Sequence, residues 1–484
     1  MAKRNELPAL VVSLLITVAL IGGGAWWLKG RFWGDAGPTA VPGETAQSNG
    51  GNANSGSAGG QNGRSGQVNV ANADGRSGRS ILPEAASETK QSGLDALAAG
   101  DYAVAQREFE QAISENRNDP ETLIYLNNAK IGDAPAYTIA TSVPAGTVIN
   151  PALEIMRGVA QAQTDINQAG GINGTPLKVL VLNDDASPDR AAEIAANLVE
   201  DEDVLGVVGH FASDTTLAAA AEYEKGGLTM ISPTSTAVKI ANAGDYIFRT
   251  VPSDRLAAAT LSRYVLNTLN KQQAVVFYTG ESTYSQSVRS EFTTELLSNG
   301  GAVVAEFDID KPGFSAGKAL QEAEAEGADV IMLALTVDTV GTANRIISVN
   351  QGSLPMVGSD GLYNPNVLDE GRANALGLTV AVPWHILSNE QNPFVTESRR
   401  LWGGDVNWRT AMAYDATLTL AAAITQEPTR AGVAAALADS DFRAEGATGT
   451  ISFFPTGDRN QPSQLVTVVE GDRSGSGYDY VPVR

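Results

Sequence analysis

Short apolar runs alternate with amphipathic stretches over most of the chain beyond Tyr137. YTIATSV, LKVLVLND, VLGVVGHF, LTMISPT, AVVFYTG, AVVAEFDI, DVIMLALT, LPMVGSD and LTVAVPW read as strands. Their continuous apolar character is that of strands covered on both faces, as in parallel sheets. Between them the spacing predicts helices, for example over 152–167 and 188–202. The second of these opens with Ser187 as N-cap, Pro188 at the first helical position and Asp189 on the positive end of the helix dipole. About 350 residues of such alternation imply an α/β architecture, and the length favours two lobes over one large sheet.

The pattern differs upstream. Leu7 to Leu28 is an uncharged run of 22 residues, long enough as a helix to cross a hydrocarbon core of roughly 30 Å. Trp26, Trp27 and Trp33 stand at its far end, where an aromatic belt is expected. Lys3 and Arg4 precede it and Lys29 and Arg31 follow, so charge alone does not orient it. An uncleaved anchor over 1–33 is expected; the small residues Gly22–Ala25 keep a cleaved signal peptide open as the competing reading. From 34 to 88 Gly, Ser, Asn and Ala dominate, no apolar periodicity survives, and a flexible tether is expected. Over 89–132 Leu94, Leu97, Ala105, Phe109, Ala112 and Ile113 recur at helical spacing around Gly100-Asp101-Tyr102. Asp119-Pro120 then opens another helix. This stretch resembles one tetratricopeptide repeat, although the usual early Trp is absent. One repeat cannot bury its own face, so a short α-helical hairpin packed on the next domain is the alternative. In either reading the module is expected to be dispensable for ligand binding.

Composition narrows the chemistry. The chain has 484 residues, 33 Lys+Arg against 55 Asp+Glu, and a net charge of −22. That balance excludes a nucleic-acid binder, which needs a basic face. With no cysteine there is no disulfide, thiol nucleophile or Cys-held metal. His210 and His385 are the only histidines and leave little room for triad or His-metal chemistry. Asn183-Asp184-Asp185 at a strand end before Ser-Pro reads as a turn. GFSAGK at 313–318 is too short for a phosphate loop and lacks a following Ser/Thr. No nucleophile–base–orienter set emerges, so no enzymatic activity, cofactor or metal is expected.

Ordered motifs make the large domain recognisable: AGGINGTPLKVLVLNDD, VVGHFASDTT, LTMISPTSTA, IFRTVPSD, YTGESTYSQS, MVGSDG, AYDATLTLAAAI and GATGTISFFPTGDR. Together they resemble the type I periplasmic solute-binding proteins of the leucine/isoleucine/valine-binding group over 136–484. The resemblance implies two α/β lobes, each a mostly parallel sheet flanked by helices, joined by three crossovers with the ligand between them. Lobe 1 would comprise about 136–253 and 383–455, and lobe 2 about 254–382 and 456–484.

The same resemblance implies the ligand contacts. Ser213 opens a helix after a strand, where unpaired N–H groups suit a carboxylate, and its counterpart binds an amino-acid carboxylate. Asp214 reads as a cap. Thr234, Ser235 and Thr236 would contact both ends of the ligand, Tyr284 would close over it, and Phe211 would be a pocket wall. Asp360, in GSDG, matches the acidic position that pairs with the ammonium. Thr336 stands where the group often has an aromatic, and Pro383-Trp384-His385 marks either a cleft rim or a hinge, so aliphatic selectivity does not follow. The expected function is a membrane-tethered extracytoplasmic receptor that presents a small amino acid to ABC permease subunits, held at the inner membrane by one N-terminal helix. The alternative is a non-transport protein regulating a cell-envelope enzyme. Lipoproteins that activate peptidoglycan synthases also join tetratricopeptide-like helices to this fold, though the lipid-bearing Cys is absent here.

Overall fold

The computed structural model describes residues 73–483. The expected anchor at Leu7–Leu28 and most of the expected tether lie outside the described residues. Among the described residues no helix is long and apolar enough to cross a membrane.

Three helices come first: α1 (Glu88–Ala98), α2 (Tyr102–Glu115) and α3 (Pro120–Ile131). Asp119 caps α3 by accepting from the Thr122 N–H at 3.1 Å, with Pro120 in the first turn. The βα region follows as β1 (Tyr137–Val143), α4 (Ile149–Gln168), β2 (Leu177–Asn183), α5 (Pro188–Glu200), β3 (Val204–Val208), α6 (Ser213–Gly226), β4 (Met230–Ser232) and β5 (Ile247–Arg249). These strands form one parallel sheet in the order β2-β1-β3-β4-β5.

The second sheet draws on α7 (Asp254–Arg263), β6 (Gln273–Tyr278), α8 (Thr283–Ser298), β7 (Ala302–Asp308), α9 (Ala316–Ala325), β8 (Val330–Ala334), α10 (Val340–Asn350), β9 (Met356–Gly358), α11 (Pro365–Gly371) and β10 (Thr379–Val382). The chain then returns to the first lobe through α12 (Pro393–Trp402), α13 (Trp408–Gln426), α14 (Arg430–Ala438) and the hairpin β11 (Ala444–Gly446) and β12 (Gly449–Ile451). It ends in the second sheet as β13 (Gln464–Glu470) and β14 (Tyr478–Pro482). The order there is β14-β13-β10-β9-β8-β6-β7, parallel from β7 to β10 and antiparallel beyond. Two α/β lobes joined by three crossovers result. The third crossover is tied down by buried Asp415, which accepts from Arg459 at 3.2 Å and from the Ala447 N–H at 2.6 Å.

The helical module is part of the first lobe. Leu94, Phe109, Ile124 and Tyr125 share one buried core with Ile139 and Val179 of its sheet. The Asn128 side chain donates to the Val179 carbonyl at 2.8 Å and accepts from the Val179 N–H at 3.2 Å. It thus satisfies the open edge of β2, which would otherwise present unpaired backbone groups. The Val181 N–H donates to the Ala73 carbonyl at 2.7 Å on the same edge. Buried Lys90 bridges Asp119 and Glu121, each at 2.7 Å, and Glu121 accepts from the Ile81 N–H at 2.7 Å. The tether expected over 34–88 is therefore too long at its C-terminal end, because residues 73–87 dock on the module and the sheet edge. The module's apolar face is the lobe's own core, so its removal bears on the stability of lobe 1.

Candidate ligand-binding cleft

A cavity of about 330 Å³ opens between the lobes beyond the C-terminal ends of the strands, where open α/β sheets place their ligands. Lobe 1 supplies the end of β3, the start of α6 and the turn after β4. Lobe 2 supplies the start of α8 and the segments after β8 and β9. The start of α13 completes the wall.

Ser213 is 2 % exposed and is the first residue of α6. Ala212 holds the cap position and offers no side-chain acceptor. The helix start therefore presents its unpaired N–H groups and partial positive charge to the cavity. The Ser213 hydroxyl accepts from the Ala237 N–H at 3.3 Å, which positions it. Asp214, expected to cap this helix, instead reaches across the cleft and accepts from the Thr283 N–H of lobe 2 at 3.2 Å. Thr234 lies on the cavity and donates from its hydroxyl to the Phe211 carbonyl at 2.7 Å, and Phe211 itself forms part of the wall.

Ser235 and Thr236 do not line this cavity. The Ser235 hydroxyl is turned inward, 2.7 Å from that of Thr216 and 3.3 Å from the carbonyls of His210 and Phe211. Thr236 faces a narrow adjoining gap shared with Asp254, Ser359 and Asp360. Arg249, which the sequence did not single out, holds this turn by donating to the Ser235 and Ala237 carbonyls at 3.2 and 2.9 Å and to Asp458 at 2.8 Å.

Asp360 follows β9 and is 9 % exposed. Tyr284, in the first turn of α8, donates its hydroxyl to Asp360 and accepts from the Gly361 N–H at 3.1 Å. Gly361 permits this fit, since a Cβ there would meet the Leu335 carbonyl at 2.5 Å. Burial holds the Asp360 carboxyl above the usual range, against the pull of the Arg409 charge and the Tyr284 hydrogen bond. Asp254, behind it, is pushed up to about 7 by burial, with the Asp360 charge adding to the rise.

Among the lining residues that the sequence did not single out, Trp408 and Arg409 are the most consequential. Asn407 caps α13 by accepting from the Arg409 N–H at 2.8 Å, and the next two residues, Trp408 and Arg409, face the cavity. Gly158 of α4 lets α13 approach closely; a Cβ there would meet the Thr410 carbonyl at 2.3 Å. A basic residue in a first helical turn opposes the macrodipole, and that was the available signal. Thr336 lines the cavity, its hydroxyl 3.1 Å from that of Thr339.

The remaining marked residues are structural. Trp384 packs edge-on against Phe394 within the core, and the buried His385, held down to about 4 by burial, accepts from the Leu387 N–H at 3.3 Å. Asp184 accepts from Ser142 at 3.0 Å and the Ala186 N–H at 2.9 Å, and lies 2.7 Å from buried His210.

Residues 137–476 match the sequence profile of a family described as periplasmic binding protein. An amino acid binding protein of Pseudomonas aeruginosa is 30% identical over 176 residues, 36% of this chain and 47% of that protein. The leucine-specific-binding protein of Salmonella typhimurium is 27% identical over 304 residues, 61% of this chain and 79% of that protein. A leucine-binding protein structure from Thermotoga maritima superposes with a TM-score of 0.62 at 22% identity, covering 72% of this chain and 98% of that one. With its two lobes and interlobe cavity, this chain belongs to the periplasmic binding protein family, with homology to leucine/isoleucine/valine-binding members, and is a binding protein rather than an enzyme.

Proposed function

We propose that the protein is an extracytoplasmic receptor that binds a small amino acid between its lobes and presents it to an ABC permease. The observation that carries this reading is the pair of opposite polar ends on one cavity. Buried Asp360 comes from lobe 2, and the uncapped start of α6 with Ser213 comes from lobe 1. A zwitterion satisfies both at once. Its ammonium pairs with Asp360 and its carboxylate takes the α6 N–H groups and the Ser213 hydroxyl. Either group left unmatched in a closed cleft costs several kcal/mol, on the order of the desolvation penalty of a charged group. The names of the relatives, leucine-specific and amino-acid binding, support the same ligand class.

Each lobe holds one end of the ligand, so only the closed arrangement makes all the contacts and ligand shifts the population toward it. A permease reading that closure would distinguish loaded from empty receptor. Tethering through Leu7–Leu28 is part of the proposal. The second reading, a regulator acting through a free helical groove, has less support because the module's apolar face is buried in its own lobe.

Isothermal calorimetry of the full chain with a panel of free amino acids tests this reading. Saturable one-to-one binding of at least one of them is expected. Silence across the panel, from protein with a cooperative melting transition, contradicts it.

A further inference from the structure

Arg409 is 4 % exposed, faces the interlobe cavity and has no carboxylate within 4.0 Å of its guanidinium among the described residues. Its Nε has no hydrogen-bond partner, and the neighbouring Trp408 Nε1, on the same wall, has none either. The guanidinium lies 4.3 Å from the centroid of the Trp408 ring, which fixes its direction. Three physical penalties coincide here: a buried cation, unsatisfied donors, and a positive charge in the first turn of a helix. Glu154, one of the acidic groups whose field reaches it, is already engaged by Arg157 at 2.7 Å. Asp360, the other, is held by Tyr284 and faces the position assigned to the ammonium. A neutral zwitterion held by Asp360 and the α6 start brings no anionic group of its own to Arg409, whose strongest acidic neighbour, Asp360, then faces the ammonium.

The rest of the wall is hydroxyl-rich at Thr279, Thr336 and Thr339. The carboxylates of Glu281 and Asp310 stand exposed at the mouth, where water and salt screen them. Burial holds the Asp338 carboxyl above the usual range, which favours its neutral form, and Asp214 is engaged by the Thr283 N–H. We propose that Arg409 and Trp408 form a subsite for a second anionic group, so that the preferred ligand is an amino acid with an acidic side chain. This inference rests on the amino-acid receptor reading and adds the ligand's charge class to it. With an acidic amino acid each charged group of the ligand meets a partner: ammonium on Asp360, α-carboxylate on the α6 start, side-chain carboxylate on Arg409.

The test compares L-glutamate with its near-isosteric amide L-glutamine, and L-aspartate with L-leucine, by calorimetry on the full-length wild type and on Arg409→Gln and Arg409→Lys. Wild type should bind the better acidic ligand at least ten-fold tighter than any neutral one. Arg409→Gln should cost acidic ligands at least ten-fold more than neutral ones, so that the preference is lost, and Arg409→Lys should keep part of it. Equal affinity of wild type for glutamate and glutamine, with aspartate no tighter than leucine, overturns the inference without needing a variant. Equal losses for acidic and neutral ligands in a folded Arg409→Gln protein also overturn it, assigning Arg409 to the shared α-carboxylate. Neutral ligands bound and acidic ones refused refutes this inference alone; refusal of every amino acid defeats the receptor reading, and this inference with it.

Discussion

Asp360 decides most of the chemistry at the residue scale. It is a buried carboxyl held by one tyrosine hydroxyl and facing a cavity. Asp360→Ala should weaken amino-acid binding by at least about thirty-fold, or about 2 kcal/mol, the scale of removing one partner from a buried charged pair. Ser213→Ala should cost less, about 1–2 kcal/mol, because the α6 N–H groups remain. Calorimetry with a melting control reads both, and normal binding by folded Asp360→Ala would reduce Asp360 to a turn residue. Asp254 predicts a pH effect. Its folded pKa, about 7, lies above the ordinary aspartate value of 3.8, so its stabilising contribution is complete below that ordinary value and is lost as pH rises through about 7. On the linkage scale the loss is up to about 4 kcal/mol. Denaturant unfolding of wild type and Asp254→Asn at pH 5 and pH 8 should show the variant gaining relative to wild type at the higher pH; parallel behaviour would contradict this.

Phe211, Ser213, Thr234, Tyr284 and Asp360 were legible as cavity residues because each sits in a strand-end motif of the family. Ser235 was not separable from Thr234 in sequence, because adjacent residues of one turn point to opposite sides. Arg409 left only one sequence signal, a basic residue in a first helical turn, because its place in the cavity depends on how closely α13 approaches α4 at Gly158, which no local pattern reports.

At the level of elements, α3 is where local pattern and tertiary role part company. Asp119-Pro120 announced the helix start, and the alternation of apolar strands with amphipathic helices was equally readable for the βα units. What α3 does was not readable: besides apolar packing of Ile124 and Tyr125, it ties down the edge of β2 through the buried amide of Asn128, and such a polar tie leaves no hydrophobic periodicity. The docking of residues 73–87 was hidden for the same reason. Asn128→Leu should destabilise the protein by about 1–3 kcal/mol, since it strands the Val179 N–H and C=O on the sheet edge. Removing residues 1–132 should go further and leave lobe 1 with Val179 and its neighbours stripped of cover. Urea unfolding checks the first, and the second should yield aggregated or molten protein; a truncated chain that melts cooperatively at the wild-type temperature would contradict this account of the module.

For the whole molecule, two lobes share one cavity and already touch across it. Asp214 of lobe 1 accepts from the Thr283 N–H of lobe 2, and the Val238 N–H donates to Ser287 at 3.0 Å. These contacts place a carboxylate on the start of α8, where the helix dipole favours it, and they lie beside the cavity, so closure and ligand capture are coupled. The central claim is that the amino acid is clamped between the lobes through Asp360. The chain contains no cysteine, so a pair introduced at exposed Asp189 of lobe 1 and Lys311 of lobe 2 can carry the only two spin labels. Pulsed electron–electron distance measurement on this pair, with and without a saturating amino acid identified by calorimetry, tests the claim most directly. The account predicts a shift toward a shorter distance on ligand addition, absent when Asp360→Asn is introduced at the same ligand concentration. An unchanged distance distribution at saturation, or an identical shift in the Asp360→Asn protein, would contradict it.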